Sequence, residues 1–280
     1  MSRVRVVTDS TAEIPPELVR ELGITVVPAY VRFGDETYRD GVDIDREEFY
    51  RRLTGGSILP ITAPPTAGDF RKCYDRLGRE TDDIISIHIS SKLSRTLEMA
   101  DRGAAHFLGA KRIITVDSQQ ASWAEGLLVV EAAKRSAAGD DIHEVVRHVR
   151  GLIPKVYVVL FVTTLEHLRR GGRIGRARAL IGSVLSTRPV LVLEDGEITP
   201  LQMVRSRGRG VDRLLEFVTE FPRIQSMTVM QGRPSLDVQE LLMRLNEVFP
   251  DKGIELKTYG PALATHVGPD SIGVIVFEGE

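Results

Sequence analysis

The hydrophobic pattern alternates between short β-branched runs and longer stretches with apolar residues three and four apart. Apolar runs at residues 4–7, 84–89 and 112–116 predict strands buried on both faces, as in a parallel sheet. Helical spacing follows each run. The first helix ends at Gly23, the second carries Leu97, Met99, Ala100, Ala104 and Phe107, and the third covers about residues 122–138. A further helix follows Asp140. Between the first two strands, residues 24–33 read as extended and Gly34-Asp35-Glu36 as a turn. Asp45 opens a helix with Phe49, Tyr50 and Leu53, and Thr66 can cap one with Phe70, Tyr74 and Leu77. Ser10-Thr11-Ala12-Glu13 has the spacing of a capping box ahead of Pro15 and Pro16. Strand and helix in alternation predict an α/β domain with a doubly wound, mostly parallel sheet.

The pattern changes after residues 151–154. Residues 156–162 predict a strand, and Thr163-Thr164 can cap a short helix with Leu165 and Leu168. Strands near 189–193 and 198–204 flank Glu194-Asp195-Gly196-Glu197, where Asp-Gly signals a hairpin. Helices near 210–221 and 235–249 alternate with strands at 226–230, 254–259 and 272–277. This predicts an N-terminal α/β domain over residues 1–153 and a C-terminal α+β domain over 154–280.

Polar residues concentrate where three first-half strands end: Thr8-Asp9-Ser10-Thr11, Ser90-Ser91 and Asp117-Ser118. In a parallel sheet these ends share one edge, so their hydroxyls converge where helix N-termini offer unpaired N–H groups. That combination suits a carboxylate or a phosphate, although any one serine there also serves as an ordinary cap. None of the turns has the glycine spacing of a dinucleotide or P-loop site.

Composition narrows the function classes. The 280 residues are 42% hydrophobic and 27% charged with a net charge of −2, which gives no global field for nucleic acid or an anionic membrane. A single cysteine, Cys73, fits a reducing compartment and a small core residue. Met1-Ser2-Arg3 leads straight into a strand, and no apolar run spans a bilayer, so a cytoplasmic protein is expected. Arginines cluster at residues 169–178 and at Arg205, Arg207 and Arg209 without interleaved aromatics, which disfavours RNA and DNA and leaves a docking surface for an acidic partner. Asp40, Asp43 and Asp45 lack the glycine and distal glutamate of a calcium loop, and the histidines have no metal spacing, so no metal is expected. His143 and His148 read as exposed, His88 as a satisfied core histidine, and His266 as part of a Gly- and Pro-rich loop. A small-molecule hydrolase using Ser94 and His266 is the alternative reading, although no Gly-x-Ser-x-Gly elbow supports it.

A series of motifs then carries a resemblance. Val7-Thr8-Asp9-Ser10-Thr11-Ala12, Asp40-Gly41-Val42-Asp43-Ile44, Thr62-Ala63-Pro64-Pro65-Thr66, Ile89-Ser90-Ser91-Lys92-Leu93-Ser94-Arg95-Thr96, Asp117-Ser118, Gly171-Gly172-Arg173-Ile174 and His266-Val267-Gly268-Pro269 occur in order. Together they resemble the DegV family, the fatty-acid-binding subunits of bacterial fatty acid kinase. The resemblance implies two domains with a long-chain fatty acid between them and its tail in an apolar tunnel. It further implies that Thr62, Ser94 and His266 hold the carboxylate. A separate kinase subunit would phosphorylate that carboxylate with ATP, and this chain would carry the acyl phosphate and make no bond itself. No cofactor is implied beyond the fatty acid. Ser10, Ser91, Arg95 and Ser118 are further candidates for lining the site, and Arg173 and Arg205 for docking the kinase. The chain departs from the family pattern at Ala63, Pro64, Arg95, Gln231 and Asp270.

Overall fold

The computed structural model describes residues 4–107, 109–180 and 187–279. The segment Met1–Arg3, from which an immediate entry into a strand was expected, lies outside them. By its internal contacts the chain divides into two compact units, residues 1–46 with 60–154 and residues 47–59 with 155–280. The second unit therefore includes residues 47–59, which the sequence assigned to residues 1–153.

In the first unit the order is β1 (Arg5–Asp9), α1 (Pro16–Leu22), β2 (Thr25–Val27), β3 (Tyr30–Phe33) and β4 (Glu36–Arg39). After α2 (Arg46–Gly55), most of which belongs to the second unit, come β5 (Ile61–Ala63), α3 (Ala67–Leu77), β6 (Asp83–His88) and α4 (Thr96–Ala104). β7 (Arg112–Asp117), α5 (Trp123–Ala138) and α6 (Ile142–Leu152) complete it. Strands β2-β1-β6-β7 form an all-parallel sheet. Val7 and Ile84 face Phe70, Tyr74 and Leu77 of α3 in one core. Thr8, one residue on from Val7, turns to the other face and donates to Glu125 of α5. Helices thus cover both faces, as the buried strand pattern predicts.

Three local readings are corrected here. Residues 10–13 form no capping box. Asp9 instead accepts from Thr11 N–H and caps a 3₁₀ turn over Ser10–Ala12, and Glu13 takes a left-handed φ of 52°. The helix then waits for Pro16, because a chain leaving αL at Glu13 must straighten before it can wind again. Second, β3 and β4 form the hairpin whose turn Gly34 marks, and β5 adds a third antiparallel strand from a segment read as irregular loop. Third, His148 is half-buried, with Nε2 3.9 Å from Glu131. At Thr66 the expectation holds: its hydroxyl accepts from Asp69 N–H, and Asp69 reciprocates in a full capping box.

The second unit contains α2, β8 (Val156–Phe161), α7 (Glu166–Arg170), β9 (Arg188–Glu194), β10 (Glu197–Val204), α8 (Arg207–Thr219), β11 (Ser226–Gln231), α9 (Leu236–Val248), β12 (Ile254–Thr258), α10 (Pro261–Val267) and β13 (Ile272–Phe277). Its sheet runs β10-β9-β8-β13-β11-β12, antiparallel except for the β11–β12 pair. Leu214, Phe217 and Val218 of α8 and Val238, Leu241 and Leu245 of α9 share one core with Phe161, Val229 and Val274 of the sheet. Gly210 lets α8 lie directly on β8, since a Cβ there would stand 2.6 Å from the Phe161 ring. Residues 47–59 join this unit through α2, whose Tyr50 hydroxyl donates to the Tyr259 carbonyl at 3.1 Å. The architecture is α/β: a parallel-sheet N-terminal domain and a mixed-sheet C-terminal domain.

Candidate functional site

The carboxyl ends of β1, β6 and β7 share one edge, because the sheet is parallel. Ser91 Oγ donates to Asp117 at 2.5 Å and so ties the end of β6 to the end of β7. Asp117 also accepts from Gln119 N–H at 2.9 Å. Ser118 is fully buried, and its Oγ accepts from Gln120 N–H. Ser10 Oγ accepts from Ala29 N–H at 3.0 Å. The turn leading to α4 folds on itself, with Ser90 N–H donating to Gln120 O and Ser94 N–H to Ser90 O. Ser94 is half-buried, and its Oγ meets Thr96 Oγ1 at 2.8 Å. Arg95 is exposed, and its guanidinium is engaged by Glu98 at 2.7 Å. Thr62 lies half-buried on β5, opposite Val31, and so belongs to the antiparallel sheet of this unit.

Beneath this rim lies a polar cluster that sequence reasoning only partly found. Thr8, Asp9, Ser86, His88 and Glu125 have no solvent exposure. Ser86 Oγ is 2.7 Å from His88 Nε2, and His88 Nδ1 is 3.0 Å from Asp9 Oδ2. This is the connectivity of a Ser-His-Asp triad, but a nucleophile must reach its substrate. Here Tyr74 donates to the Ser86 hydroxyl at 2.8 Å and Phe70 packs edge-on against His88, so the group works as a satisfied core. His88 is the core histidine its alternation predicts. Glu125 escaped notice because it sits among Leu128, Val129, Ala132 and Ala133, where helical spacing marks only an apolar stripe. Burial pushes the nearby Cys73 thiol up to about 11, which leaves it unreactive.

In the second unit His266 is not in a loop. It occupies the last turn of α10, a helix that Pro261 starts and Gly268 ends. The imidazole packs closely against Gly171, where any Cβ would overlap Nδ1, and a Cβ at Gly268 would stand 2.6 Å from the His167 ring. The pair of glycines therefore lets α7 and α10 pack ring to backbone in both directions. Burial, then the charge of Arg173, lowers His266 to about 4, so the ring is neutral at pH 7. Burial also lowers His167. Arg173 is half-buried and its guanidinium donates to Gly171 O, whereas Arg205 is exposed. The structure thus gathers His167, Arg173 and His266 around Gly171. A cleft of about 400 Å³ lies alongside, with Leu53 and Leu59 on an apolar side and His167, Arg170, Arg233 and Asp270 on a polar one. Arg233 is bound to Asp270 at 2.7 Å. The cleft was invisible in the sequence because one of its walls comes from residues 53–59, far away along the chain.

Asp43, one of the three acidic residues at 40–45, forms an ion pair with Arg39 at 2.8 Å. Among the described residues, no group of three or more His, Cys, Asp or Glu is arranged to hold a metal, and no helix is long and apolar enough to cross a membrane.

Known proteins share both sequence and fold. The family model described as "Uncharacterised protein, DegV family" matches residues 3–279. A DegV domain-containing protein of Halalkalibacterium halodurans is 34% identical over 278 residues, covering 98% of each chain. The structure of a DegV family protein from Thermus thermophilus, reported for its fatty acid binding, superposes with a TM-score of 0.90 at 30% identity, covering 99% of this chain and 100% of that one. DegV of Bacillus subtilis, described as a fatty acid binding protein, gives 0.89 at 28% identity with the same coverage. With motifs, fold and end-to-end similarity in agreement, this chain belongs to the DegV family.

Proposed function

We propose that this protein binds a long-chain fatty acid in an apolar tunnel, with the carboxylate held by Thr62, Ser94 and His266. The observation that carries the reading is the end-to-end match to DegV proteins whose structures are described as fatty acid binding. The chemistry of the residues supports it. A carboxylate removed from water needs several donors, and hydroxyls with a neutral imidazole N–H supply them without a fixed cation. Burial holds His266 neutral in the free protein, so the head group is gripped by hydrogen bonds and can be handed on.

On this proposal the chain is a carrier in the cytoplasm. A separate kinase subunit transfers a phosphoryl group from ATP to the presented carboxylate, and the carrier retains the acyl phosphate. Arg173 and Arg205 are the proposed docking residues for that subunit, and Ser10, Ser91 and Ser118 support the rim. Ser94 is better suited to donating a hydrogen bond than to attacking a carbonyl, because its hydroxyl engages Thr96 and not a base.

Ser94→Ala tests the assignment. Loss of one hydrogen bond to a charged group costs about 1.5–3 kcal/mol, so oleate affinity is expected to fall roughly 10- to 150-fold in a calorimetric titration. Unchanged affinity would remove Ser94 from the site.

A further inference from the structure

The polar cluster beneath the rim contains three ionisable side chains with no solvent exposure, Asp9, His88 and Glu125, and the proposed function uses none of them. Its hydrogen bonds can be ordered by counting protons. Thr11 Oγ1 lies within bonding distance of two carboxylate oxygens, Asp9 Oδ1 and Glu125 Oε2. A threonine hydroxyl has one proton, so it donates to only one of them. The contact to Asp9 is the shorter. Thr11 N–H donates to the same Asp9 oxygen, while Ile89 N–H and His88 Nδ1 address Oδ2. Asp9 is therefore surrounded by donors, as an ionised carboxylate requires. The Glu125–Thr11 contact at 3.1 Å then needs its proton from the glutamate. At the other oxygen, Thr8 Oγ1 donates to Glu125 Oε1 at 3.1 Å, which completes the bonding of a carboxylic acid.

We infer that Glu125 is a protonated acid in the folded chain that donates to Thr11, and that Asp9 carries the one carboxylate charge of this cluster. Full burial and the neighbouring Asp9 charge both act in the same direction, holding the Glu125 carboxyl well above the usual range. The titratable group facing it is Asp9 from β1, which in turn contacts His88 of β6, itself joined through Ser86 to Tyr74 of α3. Glu13, bound by Ser122 at the start of α5, is the other carboxylate nearby. The consequence is a proton taken up on folding. In the unfolded chain Glu125 ionises near its ordinary value, whereas in the folded chain it does not. Its contribution to stability is thus complete below the ordinary carboxylate range and declines as pH rises towards the raised folded value. The first unit carries a built-in sensitivity to rising pH above the ordinary carboxylate range, independent of any ligand.

Glu125→Gln provides the test, since an amide keeps the shape, donates to Thr11 and accepts from Thr8. Trp123, two residues away on α5 and the only tryptophan in the chain, reports unfolding of this element by its fluorescence. Urea unfolding of the full chain is followed between pH 5.5 and 8.5. The unfolding constant of the wild type is expected to rise with pH relative to that of Glu125→Gln, by at most about tenfold per pH unit. Parallel pH profiles would overturn the inference. Should the variant fail to fold, infrared spectra of wild-type protein grown with carboxyl-¹³C glutamate decide the matter at pH 7. A buried protonated-carboxyl band that shifts with the label is expected, and its absence overturns the inference.

Discussion

Asp9→Ala is expected to destabilise the first unit by about 3–5 kcal/mol, the range for breaking a buried charged hydrogen-bond partnership. The substitution strands His88 Nδ1, Ile89 N–H, Thr11 N–H and the Thr11 hydroxyl, all of which address this one carboxylate. Water cannot readily replace it, since Asp9, His88 and their neighbours are wholly enclosed between α3 and α5. The damage reaches the proposed binding rim as well. His88 and Ile89 lead directly into the turn at Ser90, whose carbonyl accepts from Ser94 N–H. Denaturant unfolding read at Trp123 checks the figure. A loss below about 1 kcal/mol would mean that the cluster does not hold this edge of the sheet together.

The second large effect concerns the ligand. If the acyl tail lies in an apolar tunnel, each buried methylene contributes roughly 0.8 kcal/mol. Shortening a saturated acid from eighteen to twelve carbons is then expected to weaken binding by about 5 kcal/mol, roughly three to four orders of magnitude in Kd. Competition against a fluorescent fatty acid reads this directly. Equal affinity for the two acids would place the tail outside the protein and leave only the head group recognised.

How far the sequence reaches differs between fold and site. The parallel sheet is legible because Ile84, Ile85 and Ile87 of β6 and Val6 and Val7 of β1 are buried on both faces, whereas the edge strand β7 is mostly half-buried. The β9–β10 hairpin follows from Asp195-Gly196, both of which take positive φ at the turn. Non-local choices were not legible. Residues 47–59 carry an ordinary amphipathic helix, and nothing in its period says that Phe49, Tyr50 and Leu53 pack with residues after 155. β5 is three residues long in a Pro- and Gly-rich stretch and exists because β3 offers it an edge. α10 is only seven residues, and its closing Gly268-Pro269 disguised it as loop.

The site shows the same division. Convergence of strand ends at one rim was predictable from topology, and the Ser91–Asp117 bond realises it between β6 and β7. The assignment of Thr62, Ser94 and His266 to one carboxylate rests on resemblance, because no spacing relates residues so far apart along the chain. Spacing alone also could not separate Arg173, half-buried near His266, from Arg205, which is exposed. Glu125 was hidden for a physical reason, and so was the burial of Asp9 beneath the rim. A buried carboxylate is identified by its donors, and those come from residues 8–11 and 88–89, far from residue 125 along the chain.

The measurement that tests the central claim most directly is native mass spectrometry of the purified chain, followed by organic extraction and identification of what is released. The account predicts a mass above the bare chain by one long-chain fatty acid, and recovery of that acid in stoichiometric amount. A bare chain mass that stays unchanged after incubation with oleate or palmitate would contradict it.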